Sequence, residues 1–440
     1  MQNLKTVTLN SDRWQTDKVE DCFLEIVNGT TIQQNDSDGI PITRIETIQK
    51  SKFDLKRIKY VKNPPQKIID RYKYNNGDLV LSHINSLEHV GKVAIYEGEP
   101  KLLLHGMNLL RLRPNQDLIL PKYAYYYMLG NTFRSEVKKR VGKAVNQVSL
   151  NQSNLKEIPF LVPPISLQKG IVGSLDNLLP SVGANINKLT RTKQLIKKFR
   201  QAILSAAITG KLTEDWQLKN LGTPRVQIDY VSSNKKRKVQ FDISHFQLFD
   251  LPEGWEWRQF WEVAEIKSNL VSTKDYQDYV LVAPDNIERN TGKLLEKKLV
   301  KEINPISAKH LFFKGQIVYS KIRPYLSKLI FADFDGLCSA DMYPISPRIN
   351  VRYLMLFMLS KYFLDTVSNI GTRTLLPKTN QEELNSIPVP VPSLEEQEEI
   401  VAKVDAYLEI ADKAERQIEK AEVGVAKLTQ AILAKTFSQE

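Results

Sequence analysis

Two long stretches of the 440-residue chain repeat apolar residues at alternating four- and three-residue steps. In the first stretch the apolar positions are Leu175, Leu179, Val182, Ile186, Leu189, Ile196 and Ile203. In the second they are Val404, Leu408, Ala411, Ile418, Val425 and Ile432. Such spacing puts apolar side chains on one face of an α-helix, as in a coiled coil. Each stretch is therefore predicted to be a long helix with an apolar seam.

The two predicted helices differ in their expected regularity. Ser393 and Glu396 have the spacing of a capping box, which predicts that the second helix begins at about Leu394. It should end near Lys435, a length of about 60 Å. The first stretch contains Pro180, and a proline inside a helix removes a backbone hydrogen bond and clashes with the preceding turn. We therefore expect a kink or a break at Pro180 and a straighter second helix.

The parts of the chain before these helices have a different pattern. Short runs of β-branched and aromatic residues alternate there with Gly, Asn, Asp and Pro, which is typical of strands joined by turns. Such runs lie at residues 40–48, 79–84, 280–283 and 317–322. Helical spacing occurs in the same parts, at residues 123–140 and 353–367. The pattern predicts an α+β fold, with two mixed α/β domains joined by two long coiled-coil-like helices.

The chain contains an internal duplication. Residues 151–204 align without a gap with residues 380–433 at a constant offset of 229, with 17 identities in 54 positions. The shared residues include Asn-Gln, Ile-Pro and Val-Pro pairs and a glutamine at 168 and 397. The tetrapeptide Gln-Ala-Ile-Leu ends both copies, at 201–204 and 430–433. Upstream, residues 77–82 resemble 315–320 and residues 92–95 resemble 328–331. Each half is thus a variable domain followed by a repeated helix.

This duplication predicts the organisation of the chain. The predicted parts are a first variable domain at 1–150, a first helical region at 151–212, a linker at 213–250, a second variable domain at 251–379 and a second helical region at 380–440. Glu415 stands at the seam position that Ile186 holds in the first copy, which argues against pairing of identical helices from two chains. We expect the two helices of one chain to pack on each other, antiparallel if a pseudo-two-fold axis relates the domains.

Composition narrows the range of partners. The chain has 62 Lys plus Arg against 50 Asp plus Glu, a formal net charge of +12, which favours an anionic partner, with nucleic acid foremost. Its two cysteines, Cys22 and Cys338, have neither disulfide nor zinc-ligand spacing and indicate a reducing compartment. The sequence contains neither a signal-like apolar start nor a membrane-spanning apolar run. We therefore expect a cytoplasmic protein without a membrane partner.

Several short motifs suggest enzyme chemistry, but none is complete. Asn63-Pro64-Pro65 is similar to the base-gripping loop of amino methyltransferases, yet Gln66 stands where an aromatic residue is needed. Gly142-Lys143 lacks the upstream glycine and following hydroxyl of a phosphate-binding loop. The five histidines have no ligand spacing. We predict no catalytic residues, no metal site and no cofactor in this chain.

Polar and basic side chains on loops could instead contact DNA. Arg, Lys, Asn, Gln, Ser and Thr read base edges, while Lys, Arg and backbone amides hold phosphates. In the first copy the candidates are Ser82, Asn85, His105, Asn108, Lys143, Asn146 and Gln147. In the second they are Ser320, Lys321, Arg323, Lys328, Arg373, Thr374 and Lys378. They occupy equivalent places in the duplication but differ in identity; ordinary polar loops remain the alternative interpretation.

The repeated motifs resemble those of a known family. Ile158-Pro159, Pro163-Pro164, Gln168, Ile171-Val172, Gln201-Ala202-Ile203-Leu204 and the run at 208–213 are similar to motifs of type I restriction-modification specificity (S) subunits. Leu251-Pro252-Glu253-Gly254-Trp255 is similar to the start of their second target recognition domain. The resemblance covers essentially the whole chain.

That resemblance implies a DNA-binding subunit in which each domain reads one half of a bipartite, asymmetric double-stranded target and the helices act as a ruler. Two methyltransferase (M) subunits carrying S-adenosylmethionine would dock on the helices, and restriction/translocase (R) subunits would supply ATP- and Mg-dependent cleavage. The docking positions would be the seam residues Leu175, Leu179, Leu189, Ile196, Ile203, Val404, Leu408, Ile418, Val425 and Ile432. Two alternatives stay open: a helical scaffold whose variable domains bind protein or RNA, and a standalone enzyme.

Overall fold

The computed structural model describes residues 14–48, 51–144, 147–220, 246–370 and 377–438. They form two compact units, Met1–Thr190 with Glu419–Glu440, and Arg191–Ile418. Unit 1 therefore combines the first variable domain with the last part of the second repeated helix. Unit 2 combines the second variable domain with the last part of the first repeated helix. Both units mix helices and sheets, so the predicted α+β class is confirmed.

Unit 1 contains short strands, short helices and the beginning of a long helix. Its strands are β1 (Gln15–Lys18), β2 (Phe23–Asn28), β3 (Ile40–Ile42), β4 (Lys59–Val61), β5 (Leu79–Ser82), β6 (Ile84–Asn85), β7 (Val93–Ile95), β8 (Leu109–Pro114), β9 (Gly142–Ala144), β10 (Gln147–Ser149) and β11 (Pro159–Val162). Its helices are α1 (Val19–Cys22), α2 (Gln66–Tyr72), α3 (Pro121–Leu129), α4 (Asn131–Lys139), α5 (Gln152–Lys156) and α6 (Ile165–Ile208), of which residues 165–190 belong to this unit.

The centre of unit 1 is a four-stranded antiparallel sheet with the order β2-β8-β5-β7. Strand β5 is buried along its whole length, as its continuous apolar run suggests. Ion pairs cross the sheet: Arg113 donates two hydrogen bonds of 2.9 Å to the buried Asp78 carboxylate, and the buried Arg111 donates to Glu25 at 2.9 Å. Smaller sheets, β6-β10-β9, β3-β4 and β1-β11, surround it.

Unit 2 repeats this plan with an additional sheet. Its strands are β12 (Glu256–Gln259), β13 (Ala264–Ile266), β14 (Leu270–Val271), β15 (Val280–Val282), β16 (Lys298–Leu299), β17 (Lys309–Phe312), β18 (Ile317–Ser320), β19 (Leu329–Phe331), β20 (Gly336–Cys338), β21 (Met342–Pro347) and β22 (Pro388–Val391). Its helices are α7 (Glu214–Lys219), α8 (Phe260–Val263), α9 (Val300–Ile303), α10 (Val351–Leu359), α11 (Lys361–Ile370), α12 (Gln381–Ser386) and α13 (Leu394–Phe437), of which residues 394–418 belong to this unit.

The sheet β13-β21-β18-β19 of unit 2 has the same antiparallel order as β2-β8-β5-β7 of unit 1. A five-stranded sheet, β14-β17-β20-β15-β16, packs beside it and contains a parallel pair, β15 with β20. The helical spacing at 123–140 and 353–367 corresponds in each case to two helices, because Gly130 and Ser360 interrupt them. The duplication thus extends to the topology of the variable domains.

Residues shared by the two copies make the same contacts in each unit. The buried Gln168 side chain accepts a hydrogen bond from Leu120 N and donates to Pro163 O, and Gln397 accepts from Asn350 N and donates to Pro392 O. A helical tyrosine in each unit donates to a strand carbonyl, Tyr123 to Leu161 O and Tyr353 to Pro390 O. The asparagines that cap α5 and α12 also correspond. These identities are explained by the architecture of the units.

The two long helices have equal limits in the frame of the repeat. Each has 44 residues, and their first and last residues differ by the repeat offset of 229. The break expected at Pro180 does not occur, since α6 continues through it. A proline inside a helix costs about 3 kcal/mol, through the lost hydrogen bond and the clash of its ring, and burial of Leu175 and Val182 on either side of Pro180 offsets that cost. The capping box is half formed: Ser393 Oγ accepts from Glu396 N, while the Glu396 carboxylate accepts from Trp255 Nε1.

Within each unit the helical segments are antiparallel. In unit 1, Ile171 and Leu175 share a core with Leu433 and Phe437. The corresponding core of unit 2 contains Ile400, Val404, Leu204 and Ile208. Arg200 of α6 also donates hydrogen bonds to Asp412 and Glu415 of α13. The expected antiparallel packing of the helices is therefore present in both units.

Because the helices pack in this way, most seam residues cannot be the docking positions for partner subunits that the sequence predicted. Eight of the ten proposed docking residues are buried or pack against the cores of this chain: Leu175, Leu179, Ile196, Ile203, Val404, Leu408, Ile418 and Ile432. Leu189 and Val425 are half-buried. Side chains already covered by their own chain are not available to another subunit. Ile186, also predicted for the seam, is exposed.

Candidate nucleic-acid interface

In unit 2 the residues that follow β18 pair with residues 377–379, a segment far along the chain. Thr379 N donates to Lys321 O at 2.9 Å, Arg323 N donates to Pro377 O at 2.9 Å, and Ile322 forms an antiparallel bridge with Lys378. This short ladder brings Lys378 next to Lys321 and Arg323, so basic residues from two separate candidate segments lie together.

The basic side chains of this ladder influence each other electrostatically. Burial lowers the pKa of Lys321 from its ordinary value, and the neighbouring Lys378 lowers it further. The Lys321 ammonium lies 4.8 Å from the centre of the Tyr343 ring. Lys378 lies 3.1 Å from Asp341, and Arg323 is exposed. The ladder therefore concentrates positive charge, which Asp341 partly offsets.

Unit 1 has the same arrangement at the equivalent place. Leu150 N donates to His83 O at 2.8 Å, and Ser149 pairs with Ile84. The repeat offset of 229 converts positions 149 and 150 to 378 and 379, the positions that pair in unit 2. Here β6 is the edge of a three-stranded sheet whose other members are the hairpin β9-β10. The half-buried Asn85 lies on β6 opposite Val148.

The family comparison reproduces this two-fold division of the chain. The family described as type I restriction modification DNA specificity domain matches residues 11–195 and residues 252–422, together more than half of the sequence. The chain belongs to the type I restriction-modification specificity subunits.

Known specificity subunits align over most of their length with this one. The chain is similar to the type I restriction enzyme EcoDI specificity subunit of Escherichia coli, with 40% identity over 73% of this chain and 70% of that protein. It is 30% identical to the putative type I restriction enzyme MjaX specificity subunit of Methanocaldococcus jannaschii, over 94% of this chain and 92% of that protein. A solved chain from a study of complex assembly and conformational transition of the type I R-M system shares the fold, with a TM-score of 0.59, 14% identity and coverage of 96% and 97%.

Three candidate contact residues of this specificity subunit are buried. Ser82, Ser320 and His105 expose almost no surface, so their side chains cannot contact a base from these positions. Ser82 Oγ accepts from Asn85 Nδ2 at 3.2 Å, and Ser320 Oγ donates to Ile322 O at 3.1 Å. Both serine hydroxyls thus form hydrogen bonds that hold the turn immediately after them. Their assignment as direct contacts is corrected to a supporting role.

The third buried candidate, His105, lies inside unit 1. Its Nε2 is 3.0 Å from Leu109 O, and burial, with the nearby Arg111, lowers its pKa to about 3. Burial also lowers the pKa of His83 to about 4. Both imidazoles are neutral at pH 7, so neither supplies charge for a phosphate. The half-buried Asn108 has a φ of 63° and forms the turn between His105 and β8.

Of the remaining candidates in the specificity subunit, some have described side chains and others do not. Lys328 donates to Pro284 O at 2.6 Å and is half-buried. The backbones of Lys143 and Gln147 form the β9-β10 hairpin, but their side chains lie outside the described part of the chain. Asn146, Arg373 and Thr374 also lie outside the described residues. These five positions stay predictions.

Two further polar residues lie beside these paired segments and were not among the predicted candidates. Asp341 binds the second copy's ladder through its carbonyl, which accepts from Lys321 N at 3.0 Å, and through its carboxylate. In unit 1, Lys92 stands at the repeat equivalent of Lys328, and burial and the adjacent Arg134 lower its pKa. The duplication offers a signal for Lys92, which aligns with the candidate Lys328, but it does not show which distant segments contact Lys92 or Asp341.

Within the described ranges, no group of three or more His, Cys, Asp or Glu side chains is placed to hold a metal ion. Across the same ranges, none of the helices combines the length and apolar character needed to cross a bilayer.

Proposed function

We propose that this specificity subunit reads a bipartite, asymmetric sequence in double-stranded DNA, with one half-site for each unit. The observation that carries the proposal is the recurrence of one backbone arrangement with different side chains. The bridge between Ile84 and Ser149 corresponds to the bridge between Ile322 and Lys378. Equal scaffolds with unlike polar groups are suited to two half-sites of different sequence, because base identity is read by side chains.

The charges in unit 2 support an anionic ligand. Lys321 and Lys378 repel each other, and a phosphate between them would relieve that repulsion through charge-assisted hydrogen bonds. The overall formal charge of +12 acts in the same direction. We expect Lys321→Ala to weaken DNA binding and to reduce the slope of log affinity against log salt by about 1.

The matched control for that measurement is Lys361→Ala, an exposed lysine of α11 that pairs with Asp365. Its salt slope should equal that of the wild type. Equal slopes for the Lys321 and Lys361 variants would remove Lys321 from the contact surface.

Domain exchange tests the division into half-sites. Replacing residues 15–150 with the matching domain of another specificity subunit should change one half of the methylated sequence and leave the other half unchanged. The readout is a methylation map of DNA modified by the assembled complex. A change in both halves would contradict independent reading. Binding of RNA or protein in place of duplex DNA would favour the scaffold alternative.

Catalysis belongs, in this proposal, to partner subunits. Methyltransferase subunits would bring S-adenosylmethionine, and restriction/translocase subunits would bring ATP and magnesium. The purified chain should then neither methylate nor cleave DNA alone, whereas addition of methyltransferase subunits should produce methylation. Methyl transfer from S-adenosylmethionine by the purified chain would refute this division.

Exposed apolar residues on the helices suggest where methyltransferase subunits dock. In unit 2, the Phe199 and Tyr407 rings pack edge to face with centroids 6.3 Å apart, and both remain about 40% exposed. The repeat offset of 229 converts these positions to 428 and 178, which are the exposed residues Leu428 and Leu178 of unit 1. Apolar residues are thus exposed at the same two repeat positions in both units, as two copies of one partner would require.

Charged substitutions test this docking surface. Phe199→Asp should reduce the number of bound methyltransferase subunits from two to one, and Phe199→Asp with Leu428→Asp should leave none. Native mass spectrometry measures the stoichiometry. Ile306→Asp changes a fully exposed apolar residue outside both helices and should leave it unaltered. Two bound subunits in the double variant would exclude this surface.

A further inference from the structure

In each unit, the turn that follows the central buried strand carries one exposed large apolar side chain. In unit 1 this turn follows β5 and its exposed residue is Leu87, 47% exposed. In unit 2 it follows β18 and its exposed residue is Tyr325, 50% exposed. Corresponding hydrogen bonds close the two turns, from Ser82 N to Lys92 O and from Ser320 N to Lys328 O, both 2.9 Å. The two residues therefore occupy related positions in the duplication.

The turn of unit 2 is held rigidly beneath Tyr325. The neighbouring Pro324 and Ser327 are buried, and Ser327 Oγ donates to Met358 O at 3.2 Å. Arg323 and Ser327 have φ values of 48° and 40°, a left-handed conformation that is costly for residues other than glycine. Such strain persists only where surrounding contacts enforce it, and it clusters at functional positions. The structure thus fixes an exposed tyrosine on a strained and anchored turn.

The turn of unit 1 is held by different groups. Asn85 links its beginning, donating to Ser82 Oγ at 3.2 Å and accepting from Ser86 N at 2.8 Å. Arg134 donates to Glu88 O at 3.2 Å. At its end, Gly91 has a φ of 77°, and an added Cβ would lie 3.0 Å from Val137 Cγ1. The sequence-predicted residues Ser82 and Asn85 therefore position the turn on which Leu87 is exposed.

Single exposed apolar residues are common on protein surfaces and need no explanation on their own. Three observations set these two apart: the equivalent turns, the anchoring of each turn, and the cations beside them. Arg323 lies two residues before Tyr325, and its amide joins the ladder that contains Lys378. Lys92 and Arg134 accompany the turn of unit 1. Cations that hold phosphates would bring each turn to the edge of the bases.

We propose that Leu87 and Tyr325 each read a T·A base pair by packing against the 5-methyl group of thymine in the major groove. An apolar side chain distinguishes thymine there, because no other base presents a methyl group. Anchoring of the turn lowers the entropy cost of the contact, because the side chain is presented without ordering of the loop. This inference rests on the proposed function, since it specifies how each unit recognises its half-site.

Replacing thymine by uracil removes only the methyl group and tests the contact directly. The assembled complex of this chain with its methyltransferase subunits is first used to map the methylated sequence. Each thymine of both half-sites is then replaced in turn by uracil. Loss of one methyl contact should weaken wild-type binding by about fourfold at one position in each half-site. Tyr325→Ala should lose this sensitivity only in the half-site of unit 2, and Leu87→Ala only in that of unit 1.

Matched variants make the result specific. Phe313→Ala removes an exposed apolar side chain just before β18, and Leu24→Ala removes one from β2. Both variants should keep the wild-type uracil profile. Tyr325→Phe should keep it as well. Unchanged melting curves show that the variants are folded.

Three results would overturn the inference. The first is a uracil profile for Tyr325→Ala equal to that of the wild type, and the second is a half-site without a T·A pair. The third is a Tyr325→Ala protein that loses affinity equally whichever base pair occupies each position, as expected if the side chain were a wedge that unstacks the bases. A wild-type complex that selects no gapped sequence would instead refute the proposed function itself.

Discussion

At the scale of single residues, Gln168 and Gln397 show how the duplication preserves contacts. Each amide both accepts and donates hydrogen bonds to buried backbone groups near the start of a long helix. Gln168→Ala would leave Leu120 N and Pro163 O without partners, which should lower the free energy of unfolding by about 2 kcal/mol. Urea denaturation measures this loss. Gln66→Ala, at an exposed position of α2, should change stability by less than about 0.5 kcal/mol; equal effects would contradict the assigned role.

The buried histidines of unit 1 make its stability depend on pH. The folded state holds the pKa of His105 at about 3, whereas an unfolded histidine titrates near 6.5. The unfolded chain therefore binds a proton first as the pH falls. The stability contributed by the neutral form is complete above pH 6.5 and is lost toward pH 3, by about 1.4 kcal/mol per pH unit.

His105→Gln should remove part of that pH dependence. Denaturant unfolding between pH 7 and pH 4 should show a shallower decline for this variant than for the wild type, whatever its stability at pH 7. His89→Gln, at a half-buried position on a turn, serves as the comparison. Parallel pH profiles for wild type and His105→Gln would show that His105 does not cause the decline.

At the scale of elements, Pro180 is an exception within an otherwise regular helix. Its exposed position means that alanine could replace it without steric conflict while restoring one backbone hydrogen bond. Pro180→Ala should raise the free energy of unfolding by about 1–3 kcal/mol, measured by denaturation followed by circular dichroism. Glu409→Pro, at the equivalent exposed position of α13, should have the opposite effect. A destabilised Pro180→Ala protein would mean that the local geometry at the proline is required.

At the scale of the whole molecule, each unit is completed by a helix end from the other repeat. Phe437, near the carboxyl end of the chain, packs on Tyr123 and Tyr127 of α3 in unit 1. Phe437→Ala should therefore destabilise unit 1, by about 3 kcal/mol. Hydrogen exchange should accelerate in α3 and β5 but not in β18.

The equivalent substitution in the other helix, Ile208→Ala, should have the reverse distribution. Ile208 belongs to the core of unit 2, so exchange should accelerate in β18 and α10 while α3 remains protected. The same exchange pattern in both variants would contradict two separately completed units.

The helical elements and the duplication can be read from the amino-acid sequence. The 4-3 spacing predicted both long helices, and the end of α13 lies within two residues of the prediction. Constant-offset identities predicted two similar halves, and residues such as Gln168 and Gln397 make the same contacts in each. The sequence also indicated which loops carry Lys321, Arg323 and Lys378. Such features depend on periodicity and on similarity between the two halves, which a sequence records directly.

Which of those side chains are accessible depends on the folded chain. It buried Ser82, Ser320 and His105, left Tyr325 exposed on an anchored turn, and directed most of the helical seam into the chain's own cores. It also completed each unit with a helix end from the distant repeat. The physical reason is that burial depends on which remote segments cover a residue, and packing between segments hundreds of positions apart leaves no local pattern in the sequence.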